Sequence, residues 1–271
     1  MLRDITIGQY YPAASPVHSL DPRVKLFGTM IFLISLFVND TVYGYIIATV
    51  FLVACIKLSR VPFKYMIKGL RSILFLLIFS AIFTVFFTDG DVLFKLGFIK
   101  ITDNGLIRGA KVVVRLIYLI IGSSLMTLTT TPTDIADGLE KAFRPLSYIK
   151  VPVHDVAMMM SIAFRFIPIL TEETDKIMKA QMARGADFET GGFLKKAKGM
   201  IPLIVPLVVS AVKRAMDLAT AMEARCYRGG DGRTKMKPLK YKRADYMAYI
   251  IFGVYLGVMI AVDVLLKKMS G

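Results

Sequence analysis

Tryptophan is absent from this 271-residue chain, and cysteine and histidine occur only twice each. Cys55 and Cys226 lie far apart, so neither a disulfide framework nor a Cys-x-x-Cys site can be drawn. His18 and His154 are too few to build a zinc-type centre, and no metal, cofactor or catalytic residue is assigned. Acidic residues are scarce as well: 20 Asp and Glu stand against 35 Lys and Arg, a net charge of +15. That surplus does not point to nucleic acid, because the basic residues are interleaved with long apolar runs and no zinc-finger, helix-turn-helix or RNP-like pattern occurs. No Walker A sequence is present, so the chain does not hydrolyse ATP as a P-loop enzyme. A polytopic membrane enzyme would need clustered carboxylates or a Ser/His constellation, and the sequence offers neither. A self-contained secondary transporter would show inverted repeats or midplane charges, which the apolar runs lack.

Apolar residues dominate instead. They make up 55% of the chain, mean hydropathy is +0.59 and only 20% of residues are charged. Soluble domains usually hold roughly 45–50% apolar residues, so the solvent for much of this chain is a bilayer. Five uncharged stretches stand out: Leu26–Asn39, Thr41–Ile56, Ser72–Thr88, Leu116–Thr133 and Tyr246–Val262. Each falls slightly short of the ~20 residues that cross hydrocarbon. Each also has a basic residue at one end whose stem can snorkel outward: Lys25, Lys57, Arg71, Arg115 and Arg243. All five are expected to span.

Basic residues favour the cytoplasmic side. The turn Asn39-Asp40 has none, whereas the next loop carries Lys57, Arg60, Lys64, Lys68 and Arg71. The amino terminus and that loop are therefore expected inside. The segment Asp89–Gly105 is expected outside, with Val92-Leu93-Phe94 and Gly97-Phe98-Ile99 reading as a short hairpin or interfacial piece. The tail is also expected outside, although Lys267 and Lys268 run against the rule.

Between the fourth and fifth stretches, Pro132 to Arg243 holds 20 of the 35 basic residues. It reads as a succession of helices rather than a soluble domain. Ile135–Tyr148 is amphipathic, Val156–Leu170 is apolar except for Arg165, and Glu172–Arg184 is polar. Gly199–Val212 is apolar with Pro202 and Pro206, and Lys213–Arg225 is amphipathic. Neither apolar piece is an uninterrupted span, so helices lying along the cytoplasmic face are expected. The fold class is then an all-α membrane protein with about five transmembrane helices plus long cytoplasmic coupling helices. Its expected parts are an amino-terminal membrane domain at 1–131, an interfacial region at 132–243 and a last transmembrane helix at 244–271.

One pattern occurs twice in the interfacial region. Ala180-Gln181-Met182-Ala183-Arg184-Gly185 matches Ala221-Met222-Glu223-Ala224-Arg225-Cys226, 41 residues on. Each copy ends a helical pattern, and Gly185 suits the C′ position of the first. Small neighbours leave each guanidinium projecting, and a helix carboxyl end tolerates its charge. Such an arginine can pair with a carboxylate or with backbone carbonyls in a groove of another protein. Ordinary helix-end arginines near a membrane surface are the alternative.

With these residues in view the sequence resembles the transmembrane T component of energy-coupling factor transporters, the EcfT family, over nearly its whole length. The signature is Gly8-Gln9-Tyr10-Tyr11-Pro12, then Ser15-Pro16-Val17-His18-Ser19-Leu20-Asp21-Pro22-Arg23-Val24-Lys25. Thr129-Thr130-Thr131-Pro132 and Asp137-Gly138-Leu139-Glu140 look like the family's entry into its cytoplasmic region, and the two Ala-Arg-small triplets look like its coupling motifs. Cys226 stands where the resemblance leads one to expect Gly, Ser or another small residue, and cysteine is still small. The resemblance implies a non-catalytic cell-membrane subunit joining two ATP-binding-cassette ATPases to a substrate-binding S component for vitamin uptake. Ala183, Arg184, Gly185, Ala224, Arg225 and Cys226 would meet the ATPases. Pro202, Leu203, Pro206 and Val209 would form an apolar platform for the S component, bent by the prolines. A cobalt- or nickel-dedicated permease subunit is the alternative within the family. Asp21-Pro22 reads as a helix start, His18 as a loop residue, Arg165 as structural, and Met158, Met159 and Met160 as core or lipid-facing.

Overall fold

The computed structural model describes residues 10–39, 41–88, 92–96, 99–186, 199–227, 229 and 238–270. Gly8, Gln9, Asp40, Asp89, Gly97, Phe98 and Gly230 lie outside them. In chain order the elements are α1 (Pro22–Val38), α2 (Val42–Ser59), α3 (Phe63–Phe87), β1 (Val92–Leu96), β2 (Ile99–Thr102), α4 (Asp103–Thr129) and α5 (Pro132–Phe143). A 3-10 turn (Arg144–Ile149), α6 (Val153–Ala183), α7 (Ile201–Ala224) and α8 (Arg243–Ser270) follow. The protein is an all-α membrane protein with one small antiparallel hairpin, in which Lys95 pairs with Lys100 and Leu96 with Ile99.

Among the described residues, four helices are long and apolar enough to cross a membrane: α2, α4, α6 and the Arg243–Leu266 part of α8. Two of the five expected spans are shorter, since α1 has 17 residues and the apolar part of α3 is Ile73–Phe87. Conversely, α6 is one helix of 31 residues where the sequence pattern suggested two pieces.

The chain divides into two compact units, one comprising Gly8–Gly138 with Leu239–Gly271, the other Leu139–Pro238. In the first unit the helix starts follow from polar caps. Asp21 accepts from the Arg23 N–H at 3.0 Å, Thr41 from that of Gly44 at 3.3 Å and Thr102 from that of Gly105 at 3.1 Å. Thr131 accepts from the Asp134 N–H at 3.2 Å while its hydroxyl donates to the Asp134 carboxylate at 2.7 Å, which fixes the start of α5. The core gathers Phe32 and Leu36 of α1, Ala48 and Leu52 of α2, Ile121 and Leu128 of α4, and Tyr255 and Met259 of α8. Within it Ser35 Oγ and Tyr255 Oη pair at 2.8 Å. Gly105 lets α3 and α4 approach closely, because a Cβ there would lie 2.7 Å from the Val85 carbonyl oxygen.

These contacts bring the amino ends of α1, α3 and α8 and the carboxyl ends of α2 and α4 to one end of the unit. Lys25 Nζ donates to the Thr129 carbonyl at 2.9 Å, Arg60 to that of Ala14 at 3.3 Å, and Asp21 N–H to Asp245 at 2.8 Å. That end carries Arg23, Lys25, Lys57, Arg60, Lys64, Lys240, Lys242 and Arg243.

In the second unit α6 and α7 run antiparallel. Tyr227 Oη reaches Met158 Sδ at 2.9 Å, and Glu173 accepts from Ser210 Oγ at 2.8 Å and pairs with Arg214. Pro168 lies inside α6 and Pro206 inside α7. Pro202 sits in the first turn of α7, where a missing N–H costs nothing, so it does not bend the helix as the sequence pattern suggested.

Candidate functional site

The repeated arginine motif takes the same form at both helix ends. At the end of α6, Arg184 is the C-cap, and its N–H donates to the carbonyls of Ala180 at 3.3 Å and Gln181 at 3.1 Å. Gly185 follows with φ +88°, its N–H donating to Met182 at 3.0 Å, while that of Ala186 reaches back to Gln181 at 3.0 Å. At the end of α7, Arg225 donates to Ala221 at 3.3 Å and Met222 at 3.1 Å. Cys226 has φ 56° and donates to Glu223 at 2.9 Å, and Tyr227 reaches back to Met222 at 3.0 Å. Both are Schellman terminations, in which the residue after the cap turns left-handed and two loose carbonyls are satisfied.

All six motif residues, Ala183, Arg184, Gly185, Ala224, Arg225 and Cys226, are exposed. A Cβ placed on Gly185 would meet none of the described residues within 4 Å. Because α6 and α7 are antiparallel, the two arginines stand at opposite ends of the pair. The 24 residues of α7 separate them by about 36 Å at ~1.5 Å per residue. Each guanidinium is carried at a helix carboxyl end, where partial negative charge favours it.

The expected platform residues are divided by the helix surface. Pro202, Pro206 and Val209 are exposed, Val209 to 63%, together with Val205, Val208 and Val212. Leu203 is only 5% exposed, so it does not belong to the exposed strip. Beside this strip, Ile162, Phe166 and Leu170 of α6 face Ala211 and Ala215 of α7 across an apolar groove.

The amino-terminal signature forms a clamp. The Tyr11 carbonyl can only accept, so His18 Nε2 donates to it at 3.0 Å, and Nδ1 accepts from Ser15 Oγ at 2.6 Å. Burial holds the His18 pKa below its ordinary 6.5, against the raising effect of the Tyr11 bond. Lys25 Nζ binds the His18 carbonyl at 3.0 Å. Arg23 grips Asp21 through Nε and Nη2, both at 2.9 Å, and lies 3.9 Å from the Tyr241 ring centroid, with the Asp21 hydrogen bond raising the Arg23 pKa. Two residues that the sequence pattern did not single out complete the picture. Asp245, 1% exposed, accepts from the N–H groups of Asp21 and Lys242 at 2.8 and 2.6 Å. Tyr227, two residues past Arg225, anchors that helix end to α6. The signal for Asp245 was an acid just inside an apolar helix start; the Tyr227 contact left none in the sequence.

Known proteins bear on this arrangement. Residues 13–236 match the family described as CbiQ, cobalt transport protein. The chain is 52% identical over 250 residues, covering 92% of this chain and 93% of its relative, to the energy-coupling factor transporter transmembrane protein EcfT of Clostridium kluyveri. Proteins of the same name are 48% identical over 94% of this chain and 96% of the relative in Ruminiclostridium cellulolyticum, and 46% identical over 90% and 93% in Bacillus subtilis. At that extent and identity, the chain belongs to the CbiQ/EcfT family of transporter transmembrane proteins.

Proposed function

We propose that this chain is the transmembrane coupling subunit of an energy-coupling factor importer. It binds two ATP-binding-cassette ATPases through α6 and α7 and a substrate-binding S component through the exposed strip of α7. Hydrolysis belongs to the ATPases, and this chain carries force rather than chemistry. The observation that carries the reading is the duplicate helix end. Two similar grooves on two similar ATPases call for two similar plugs, set apart by a rigid spacer. The Arg184 and Arg225 ends match bond for bond and stand a helix length apart. The coupling region then lies in the cytoplasm, and the positive-inside rule assigns the basic end of the first unit to that compartment too.

A hydrogen bond to a charged group contributes roughly 1.5–3 kcal/mol, or one to two decades of affinity per site. Arg184→Ala or Arg225→Ala should each weaken co-purification of the ATPases, and the double change more than either. Lysine should rescue poorly, since it lacks the planar fork. Val209→Glu should release the S component and leave ATPase binding intact. Normal assembly of both alanine variants would reduce these ends to ordinary helix termini. The substrate is a vitamin or similar micronutrient chosen by the S component. The family description names cobalt, so a cobalt- or nickel-dedicated importer is the second reading. Uptake assays with each S-component class decide between the two.

A further inference from the structure

The first unit holds an apolar cavity of about 150 Å³, open on one side, between α1, α2, α4 and α8. Apolar cavities of about this size stay dry and accept hydrocarbon. Its inner end is closed by Phe32, Phe51 and Phe252, with Phe51 stacked on Tyr255 at 4.3 Å. Its side is open to the surroundings, because Leu58 of α2 and Ile251 of α8 both line it and are 54% and 57% exposed. Its other end meets Lys25 at the basic end of the unit. Lys57 and Arg60 flank Leu58 in sequence, both exposed, and Lys64 opens α3. Between Lys57 and Thr88 the sequence has no acidic residue. At the Lys25 end the carboxylates of Asp21, Asp134 and Asp245 act on its ammonium, so the excess positive charge lies along Lys57, Arg60 and Lys64. Hydrocarbon space beside that cationic edge is the complement of a lipid with an anionic headgroup.

We infer that this cavity is a binding site for one anionic phospholipid, its acyl chain entering between Leu58 and Ile251 and its phosphate held by the Lys57 and Arg60 rim. Occupancy then depends on headgroup charge, at roughly fivefold in association per basic side chain near the surface.

The chain has no native tryptophan, so an introduced indole reports alone. Ile251→Trp places a reporter at the portal, and Phe75→Trp a control on the outer face of α3, 82% exposed. The full-length variants are placed in bilayers of brominated phosphatidylglycerol mixed with unlabelled phosphatidylcholine, and in the reciprocal mixture. Quenching of the portal reporter should favour phosphatidylglycerol by roughly fivefold or more, while the α3 control shows parity. Adding Lys57→Gln and Arg60→Gln to Ile251→Trp should return the portal reporter to parity. Independently, native mass spectrometry of the delipidated wild-type chain should retain one phosphatidylglycerol, and Cys55→Phe, which fills the cavity without touching the charges, should retain none. Parity at the portal in the otherwise unchanged chain, equal retention of phosphatidylcholine, or retention of the lipid by folded Cys55→Phe would each overturn the site.

Discussion

The two arginine-bearing helix ends differ at one atomic detail that makes opposite predictions for equivalent substitutions. The left-handed residue is glycine in one copy, Gly185, and cysteine in the other, Cys226. A left-handed backbone costs an L-residue roughly 1–2 kcal/mol relative to glycine. Glycine offsets about 0.4–1 kcal/mol of that by its greater freedom in the unfolded chain. Cys226→Gly should therefore stabilise the end of α7 by up to about 1 kcal/mol, and Gly185→Ala should destabilise the end of α6 by a similar amount. Among the described residues nothing lies within 4 Å of a Cβ on Gly185, so the second cost is conformational and not a clash. Amide exchange at Gln181–Ala186 and Met222–Tyr227, in the purified full chain, reads each end separately. Exchange should slow at Tyr227 in Cys226→Gly and quicken at Ala186 in Gly185→Ala. Faster exchange at Tyr227 in Cys226→Gly would refute the reasoning, since it would mean that the thiol itself holds the turn.

Two further predictions concern the clamp at the basic end. Asp245→Ala removes a charged acceptor from one buried and one half-buried N–H group, at roughly 1.5–3 kcal/mol each, so a loss of about 3–6 kcal/mol is expected in thermal unfolding, with Asp245→Asn costing about half. His18 has its folded pKa held below 6.5, so its contribution is complete above pH 6.5 and is lost as pH falls toward and through the lower folded value. Ring-proton NMR should place that midpoint below 6.5, and His18→Gln should flatten the acid limb of the stability profile.

Much of this was legible in the sequence because it rests on local rules. Asp21-Pro22 announced a helix start and supplies one, with Pro22 the first residue of α1 and Asp21 its cap. Val92–Phe94 and Ile99 belong to a hairpin, one of the two readings that segment allowed. The repeated arginine triplet pointed to two helix ends, and both are present. Helix lengths were less legible. The apolar run of the fourth span begins at Leu116, but α4 begins at Asp103, because Arg108, Lys111 and Arg115 end a hydropathy run without ending a helix. The change in polarity at Glu172 and Lys213 likewise suggested boundaries inside α6 and α7, where the backbone continues. Nor does Pro168 end α6, which runs on to Ala183. The bonds of Asp245 and Tyr227 reach partners 224 and 69 residues away in sequence. Neither they nor the burial of Leu203 is encoded in any local pattern.

If Arg184 and Arg225 pass force between ATPase and membrane, the most direct measurement compares ATP hydrolysis with substrate uptake. Proteoliposomes holding the complete assembly would carry either wild type or Arg184→Ala combined with Arg225→Ala. Any complex the double variant still forms should hydrolyse ATP with little or no uptake per ATP. Uptake per ATP equal to wild type, in a complex of unchanged composition, would contradict the coupling role.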